Sequence, residues 1–385
     1  MRPMSPRSRW TVIASTGLVL FAIGAGLVVA FPGSGWRTAL VEFGGQLNAV
    51  AGDEGLLVAV GCCTDSSVAI WTSEDGAVWS FVSEGHSGPA QELLTVARWP
   101  GGWLAGGRRL QEDWVVSDDG KEQTWVERHT AVLWTSSDGT TWEQLPHTET
   151  FTNAVIADIV VHEDKLVAVG GIHVSDTRVK IGVDEVYAME PIWNAAVWLS
   201  DDGRSWERIP HNENFSDQSI STIITGGPGL VAGGSAIWVS ADGIDWEIVD
   251  RLSGVADLAV GGPGLVAVGS KDLVDGAIWT SPDGRTWTPV RQDLGAGKLF
   301  AVAAHPLGLV AAGSVVGFGA LRVDGVIWTS QDGFTWSRTD FDETHFHGVS
   351  VVADAVLVVG GTSQSVHVPS SNRAVVMRQN VGNGQ

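Results

Sequence analysis

The residues best equipped for chemistry in this chain are histidines set beside carboxylates in a repeated pattern. Pro146-His147-Thr148-Glu149-Thr150-Phe151 is echoed by Pro210-His211-Asn212-Glu213-Asn214-Phe215. Asp342-Glu343-Thr344-His345-Phe346-His347 makes a third group, and Glu84 with His86 a fourth. An imidazole beside a carboxylate can move protons near neutral pH, capture a metal or hydrogen-bond a sugar. A second set is aromatic: Trp114, Trp125, Tyr187 and Trp193, with Arg108, Arg109, Lys121 and Arg178 close by. Rings alternating with polar groups offer flat faces for stacking on sugars. A structural account competes in both cases. The Pro turns the chain, the Phe packs and the polar residues are solvated, while the aromatic residues pack their own segment. Cys62 and Cys63 are neighbours, and no CxxC pair or nearby histidine completes a ligand set, so neither a metal nor a cofactor is expected. A vicinal disulfide, two thiols and a bond to a partner all stay open for the pair.

The elements that must position these groups are internal repeats. Six segments read Ser-x-Asp-Gly-x-x-Trp, beginning at Ser73, Ser136, Ser200, Ser240, Ser281 and Ser330. Asp75, Asp138, Asp202, Asp242, Asp283 and Asp332 are the aspartates of these segments. A carboxylate can accept N–H bonds from its own turn, and Gly supplies positive φ, so each segment predicts a tight hairpin. Each also has a Trp two places before the Ser. Twelve of the 19 tryptophans therefore occupy repeat positions and are expected to be structural. Upstream lies a short apolar strand ending in glycine, present seven times: Leu56–Gly61, Trp103–Gly107, Leu166–Gly171, Leu230–Gly234, Leu265–Gly269, Leu309–Gly313 and Val356–Gly361. The seventh copy is followed by a strand at Arg373–Arg378 but by no turn segment. At the other end, Trp36–Val41 resembles the strand that follows a turn elsewhere. A seven-bladed β-propeller closed by pairing its N- and C-terminal strands accounts for both leftovers and removes open sheet edges.

This pattern resembles the Asp-box (BNR) repeats of sialidases and sialidase-like propellers, from Trp36 to about Arg378, in a variant with Asp and Gly adjacent. The resemblance implies the fold. It leaves activity open, because enzymes and non-enzymes share the repeat. A sialidase would need a Tyr–Glu nucleophile pair and an arginine cluster. The early Arg-Ile-Pro-like motif is absent, Tyr187 is the only tyrosine, and arginines do not recur on the inner strands. The expectation is a non-catalytic binding or assembly module for a glycan, a protein or another envelope component. A carbohydrate-active enzyme on the same scaffold is the alternative.

Turn segments start 40, 41 and 49 residues apart in the last four repeats but 63 and 64 apart in the first three. The excess falls near Arg108–Thr130 and Ile172–Asn194, between the second and third strands of their blades. That connection shares a face with the links from outer to inner strands, opposite the turn segments. Eight of the ten histidines are expected on that face, His162 and His305 being the exceptions. The expected ligand face comprises Trp114, Trp125, Tyr187, Trp193, His147, Glu149, His211, Glu213, His345 and His347.

Formal charge is −21, from 23 Lys+Arg and 44 Asp+Glu, which disfavours nucleic acid as a partner. Trp10–Phe31 is an uncharged run of 22 residues behind Arg2, Arg7 and Arg9. It is long enough for a transmembrane helix with the remainder outside the cytoplasm, or alternatively serves as a cleaved signal. The expected organisation is a basic stub at 1–9, an anchor at 10–31, a linker at 32–35, the propeller at 36–378 and a tail at 379–385.

Overall fold

The structure, a computed structural model, describes residues 19–23, 26–30, 35–41, 45–52, 55–62, 68–82, 91–116, 123–180, 186–271, 275–295, 297–316, 323–352, 355–362 and 373–381. Seven blades stand around a ring. Their inner strands are Gln46–Gly52, Gln91–Trp99, Ala154–His162, Ile220–Gly226, Val255–Gly261, Lys298–His305 and Thr344–Val352, numbered here as blades 1 to 7. Each pairs antiparallel with the apolar second strand that follows it. Among the described residues there is no α-helix, only the 3-10 turns Glu149–Phe151 and Glu213–Phe215.

One irregularity recurs in every blade. The inner strand carries a bulged residue against its partner: Asn48, Leu94, Ala157, Ser221, Ala256, Phe300 and His347. A bulge swings the inner-strand carbonyl towards the second strand. A glycine faces it each time, namely Gly61, Gly107, Gly170, Gly234, Gly269, Gly313 and Gly360. A Cβ on any of them would fall on that carbonyl oxygen, so no side chain fits. These are the strand-ending glycines of the repeat, except that blades 3 and 7 use the first glycine of Gly170-Gly171 and Gly360-Gly361.

The residue after the bulge enters the seam between blades. There, Asp158 accepts bonds from the Thr95 hydroxyl (2.9 Å) and from the N–H groups of Ile159 (2.8 Å) and Ile223 (2.9 Å). Asp257 accepts from the N–H groups of Leu258 and Val302, both at 2.8 Å. The Thr222 hydroxyl lies 3.0 Å from Asp257 and 3.4 Å from Asp158. A polar belt thus joins the inner strands of blades 2 to 6. Elsewhere the seams are apolar: seven clusters of buried residues, each drawn from two neighbouring blades, form the core. Blades 7 and 1 meet in one of them through Leu357, Val359, Leu47 and Trp71.

The six Ser-x-Asp-Gly-x-x-Trp segments form one turn, repeated. The Ser hydroxyl accepts the Gly N–H at 2.8–2.9 Å, and Asp Oδ1 accepts the next two N–H groups at 2.7–3.3 Å. The Trp indole then donates to the Gly carbonyl, and the Gly sits at φ +68° to +79°. N–H donation stabilises the charged carboxylates, and the Ser205 and Arg204 amides hold Asp202 down at about 2.

At the N-terminus the outcome differs from the helix expected over 10–31. Val19–Ile23 and Gly26–Ala30 are strands, and Ala30 pairs with Arg37 at the edge of blade 7. No helix among the described residues is long and apolar enough to cross a membrane. β-branched apolar residues beside an open sheet edge satisfy their backbone by pairing with it. Arg37 and Thr38 pair in turn with Arg378 and Met377, and the Ala39 N–H donates to the Val376 carbonyl at 2.8 Å. Leu40–Val41 then runs parallel to Val78–Trp79 of blade 1.

The belt has a pH signature. Burial, and then the neighbouring Asp158 charge, pushes Asp257 up to about 7 from its ordinary 3.8. A raised folded-state pKa means the folded protein binds the proton more tightly. Its stabilisation is complete below 3.8 and is lost as pH rises through about 7. His129, His305, His345 and His347 are shifted down from 6.5 and have the opposite sign. Burial raises Asp158 as well, so the difference between wild type and Asp257→Asn reads the Asp257 carboxyl together with its coupling to Asp158, both of the same sign. We expect the wild-type advantage in thermal midpoint to shrink steadily from pH about 5 to pH about 8. A difference that grows with pH, or stays flat, would contradict the belt's protonation.

Candidate functional site

The two propeller faces carry different structures. On one, inner hairpins pack beneath neighbouring turns, as Pro228 does against Gly284 and Pro263 against Gly333. His162 belongs there, its Nε2 lying 3.2 Å from the Ala241 carbonyl in the blade 4 turn. The other face carries the outer-to-inner links, the bulged residues and the two insertions.

Both insertions are β-structure rather than loops. Blade 2 extends as Gly102–Val116 and Gln123–Ser136, and blade 3 as Lys165–Lys180 and Val186–Ser200. Near their tips Gln123–Trp125 pairs in parallel with Val186–Ala188, fusing both blades into one eight-stranded sheet. This arch sets Trp114 opposite Trp125 and Tyr187 beside Thr124. For Trp114, Trp125 and Tyr187 only the backbone is described. Residues 117–122 lie outside the described residues, as do Cys63, Glu84 and His86.

The base of the arch holds a cluster that motif reading missed. The Trp193 ring meets His129 of blade 2 edge-on at 4.9 Å and its cross-strand partner His173 at 5.8 Å. His173 Nε2 lies 2.7 Å from Asp176. His129 is 3% exposed, and neither of its ring nitrogens has a hydrogen-bond partner. Glu127 Oε2 lies 3.7 Å from its Nε2. Burial, then the Arg108 charge, lowers its pKa, so the ring is neutral at neutral pH. Arg108 is itself held on Glu92 Oε2 at 2.8 and 3.0 Å, and Asn48 reaches Glu92 Oε1 at 3.3 Å. A polar line thus runs from the mouth of blade 1 to the arch. The signal for it was the alternating Val, Ser, Thr and Arg of the insertions, which is strand composition.

The remaining expected residues are dispersed. His147 lies 3.2 Å from the Thr152 hydroxyl and His211 lies 3.0 Å from that of Ser216, each within its own link. Glu149 and Glu213 open 3-10 turns whose Phe151 and Phe215 are buried. The Pro-His-x-Glu-x-Phe repeat therefore plugs successive blade junctions, and these four residues do not meet. His345 and His347 do come together at the mouth, with rings 5.1 Å apart, and His347 lies 5.2 Å from Phe300. Burial, then the His345 charge, brings His347 down to about 4. No group of three or more His, Cys, Asp or Glu among the described residues is arranged to hold a metal.

Comparison with protein-family models finds no match, and comparison with curated proteins finds none either. Among solved structures, YCF48 bound to D1 peptide superposes with a TM-score of 0.55 at 14% identity, covering 91% of this chain and 98% of that one. The WD40 propeller domain of Doa1 follows at 0.49 and 14%, covering 89% and 95%. Sqt1 from Chaetomium thermophilum gives 0.46 and 10%, covering 89% and 98%. The first of these likenesses shows the propeller fold.

Proposed function

We propose that this chain is a non-catalytic binding propeller that recognises a polypeptide with the face carrying the arch. The observation that carries the reading is the fused eight-stranded sheet. Two insertions that could each have stood alone are tied together, and Trp193 is locked between two histidines beneath them. Such rigidity lowers the ordering cost of binding. Aromatic residues gathered at the tips suit a protein interface, where Trp and Tyr dominate the energetics. YCF48, the solved structure of like fold, is in complex with a peptide. The repeat that the turns resemble is shared by enzymes and non-enzymes, so it is compatible with a non-catalytic role.

Two further readings belong with it. First, 10–31 tethers the propeller outside the cytoplasm. Support comes from its uncharged apolar length behind Arg2, Arg7 and Arg9. In lipid such a run is helical, because no sheet edge is present to satisfy its backbone. Second, Trp36–Val41 closes the ring by supplying the outer strand of blade 7. Support comes from the Arg37–Arg378 register and from Trp36, 2% exposed, in the seam between blades 6 and 7. A Thr38→Cys, Met377→Cys pair should oxidise to an intramolecular disulfide in the full chain. Failure to form it under mild oxidant would remove the closure.

The binding reading is tested by photo-crosslinking in native membranes. A benzophenone side chain placed at Trp114 or Tyr187 should crosslink to polypeptide, whereas one at Glu74 or Gln331, in the turns, should not. Crosslinks confined to the turn positions would reverse the assignment of the face. Retention on a glycan array that is lost with Trp193→Ala would replace the protein partner by a sugar.

A further inference from the structure

Four grooves on the described surface differ in charge. Those of about 570, 390 and 300 Å³ each include at least one carboxylate residue in their walls: Asp332; Glu207; Asp245 and Glu247. The fourth, of about 260 Å³, lies at the channel mouth where the inner strands of blades 4, 5 and 6 begin. Among the described residues its wall has no acidic residue and one cation, Lys298. In a chain with 44 acidic and 23 basic residues, such a lining stands apart.

The polar groups in this groove are donors in search of an acceptor. Ser221 is the exposed bulged residue of blade 4, and Lys298 is exposed at the start of the blade 6 inner strand. The Ser270 hydroxyl is buried and has no hydrogen-bond partner. The Ser235 hydroxyl, by contrast, accepts the Ser219 N–H at 2.8 Å and donates to the Ser219 carbonyl at 3.2 Å, which shapes the rim. Leu299 and the Phe300 ring form an apolar wall, backed by His347. Burial keeps His347 neutral, so it adds no charge that would alter the preference.

An ammonium and two free hydroxyls beside an apolar wall match a carboxylate on a short methylene stem. We infer that this mouth pocket binds an acidic side chain, Glu or Asp, of the polypeptide partner, resting on the protein-binding reading above. The carboxylate would pair with Lys298 and accept from Ser221 and Ser270, its stem lying on Phe300. Charge-assisted bonds of this kind are the stronger ones and carry orientation. The pocket then supplies register, while the arch supplies contact area.

The test uses the full chain in detergent and three probes: hexaglutamate, hexaglutamine and tri-galacturonate. Hexaglutamate should bind, shift the amide resonances of Ser221 and Ser270, and weaken as salt rises. Lys298→Gln should cut its affinity about tenfold, and Ser270→Ala by a smaller factor, with near-ultraviolet dichroism unchanged. Gln331→Ala, an exposed position on the turn face, should leave hexaglutamate binding intact. Equal binding of hexaglutamine, or unchanged affinity in Lys298→Gln, would overturn the proposal. Preference for tri-galacturonate, lost in Lys298→Gln, would replace the acidic peptide by an acidic sugar. If hexaglutamate fails while the arch still crosslinks to polypeptide, the pocket alone is refuted and the binding face stands.

Discussion

The structure depends on a contact in which a backbone carbonyl occupies the space a side chain would need. In each blade the bulged inner strand pushes that oxygen against the second strand, and only glycine can stand opposite. Two consequences follow from this single constraint. The residue after the bulge is carried into the seam, where Thr95, Asp158, Thr222 and Asp257 reach one another across blades. The bulged residue itself is left at the mouth, where Ser221, Ala256 and Phe300 share one pocket wall. The packing of the seams and the lining of the mouth are thus set by neighbouring positions of the same strand.

Magnitudes assign different tasks to the turns and the seams. A turn hydrogen bond contributes on the order of 1 kcal/mol, and the turn aspartates are solvent-exposed. Removing a fully buried Trp costs about 3–5 kcal/mol, and Trp71, Trp198 and Trp238 are each 0% exposed within the seams. The turns therefore specify where the chain reverses, while the seams hold the ring. The buried belt carries more risk, because a carboxylate without partners there would be costly. Asp158 and Asp257 avoid this by accepting backbone N–H groups of the next inner strand, Ile223 and Val302. Polar groups in that position fix strand register in a way apolar packing does not.

Much of the architecture was legible because it repeats. The Ser-x-Asp-Gly-x-x-Trp turns and the seven glycine-ended strands encode local geometry, and local geometry is readable at short spacing. What came from contacts between blades was not. Asp158 and Thr222 lie 64 residues apart, and Thr222 and Asp257 lie 35 apart, so no motif joins them. The insertions are legible as extra length with aromatic residues between second and third strands, but the pairing of their tips joins segments far apart in sequence, and no motif encodes it. In Gly170-Gly171 and Gly360-Gly361 adjacent glycines are equivalent in sequence, and only the opposing carbonyl selects the first of each pair. His147 and His211 looked like site residues for the same reason that they are structural: they recur. His129 and His173 do not recur, and only the fold brings them to Trp193.

The bulge, its glycine and the mouth-facing residue therefore form one unit that both closes the seams and sets what lines the mouth. The most direct measurement is amide hydrogen exchange, resolved by residue, in Gly269→Ala against wild type. Displacing the Gly254 carbonyl should open the belt on both sides of blade 5. The Leu258 and Val302 amides should then lose protection while Val58 and Val358, in blades 1 and 7, keep theirs. Unchanged protection at Leu258 and Val302, or loss spread evenly around the ring, would contradict it.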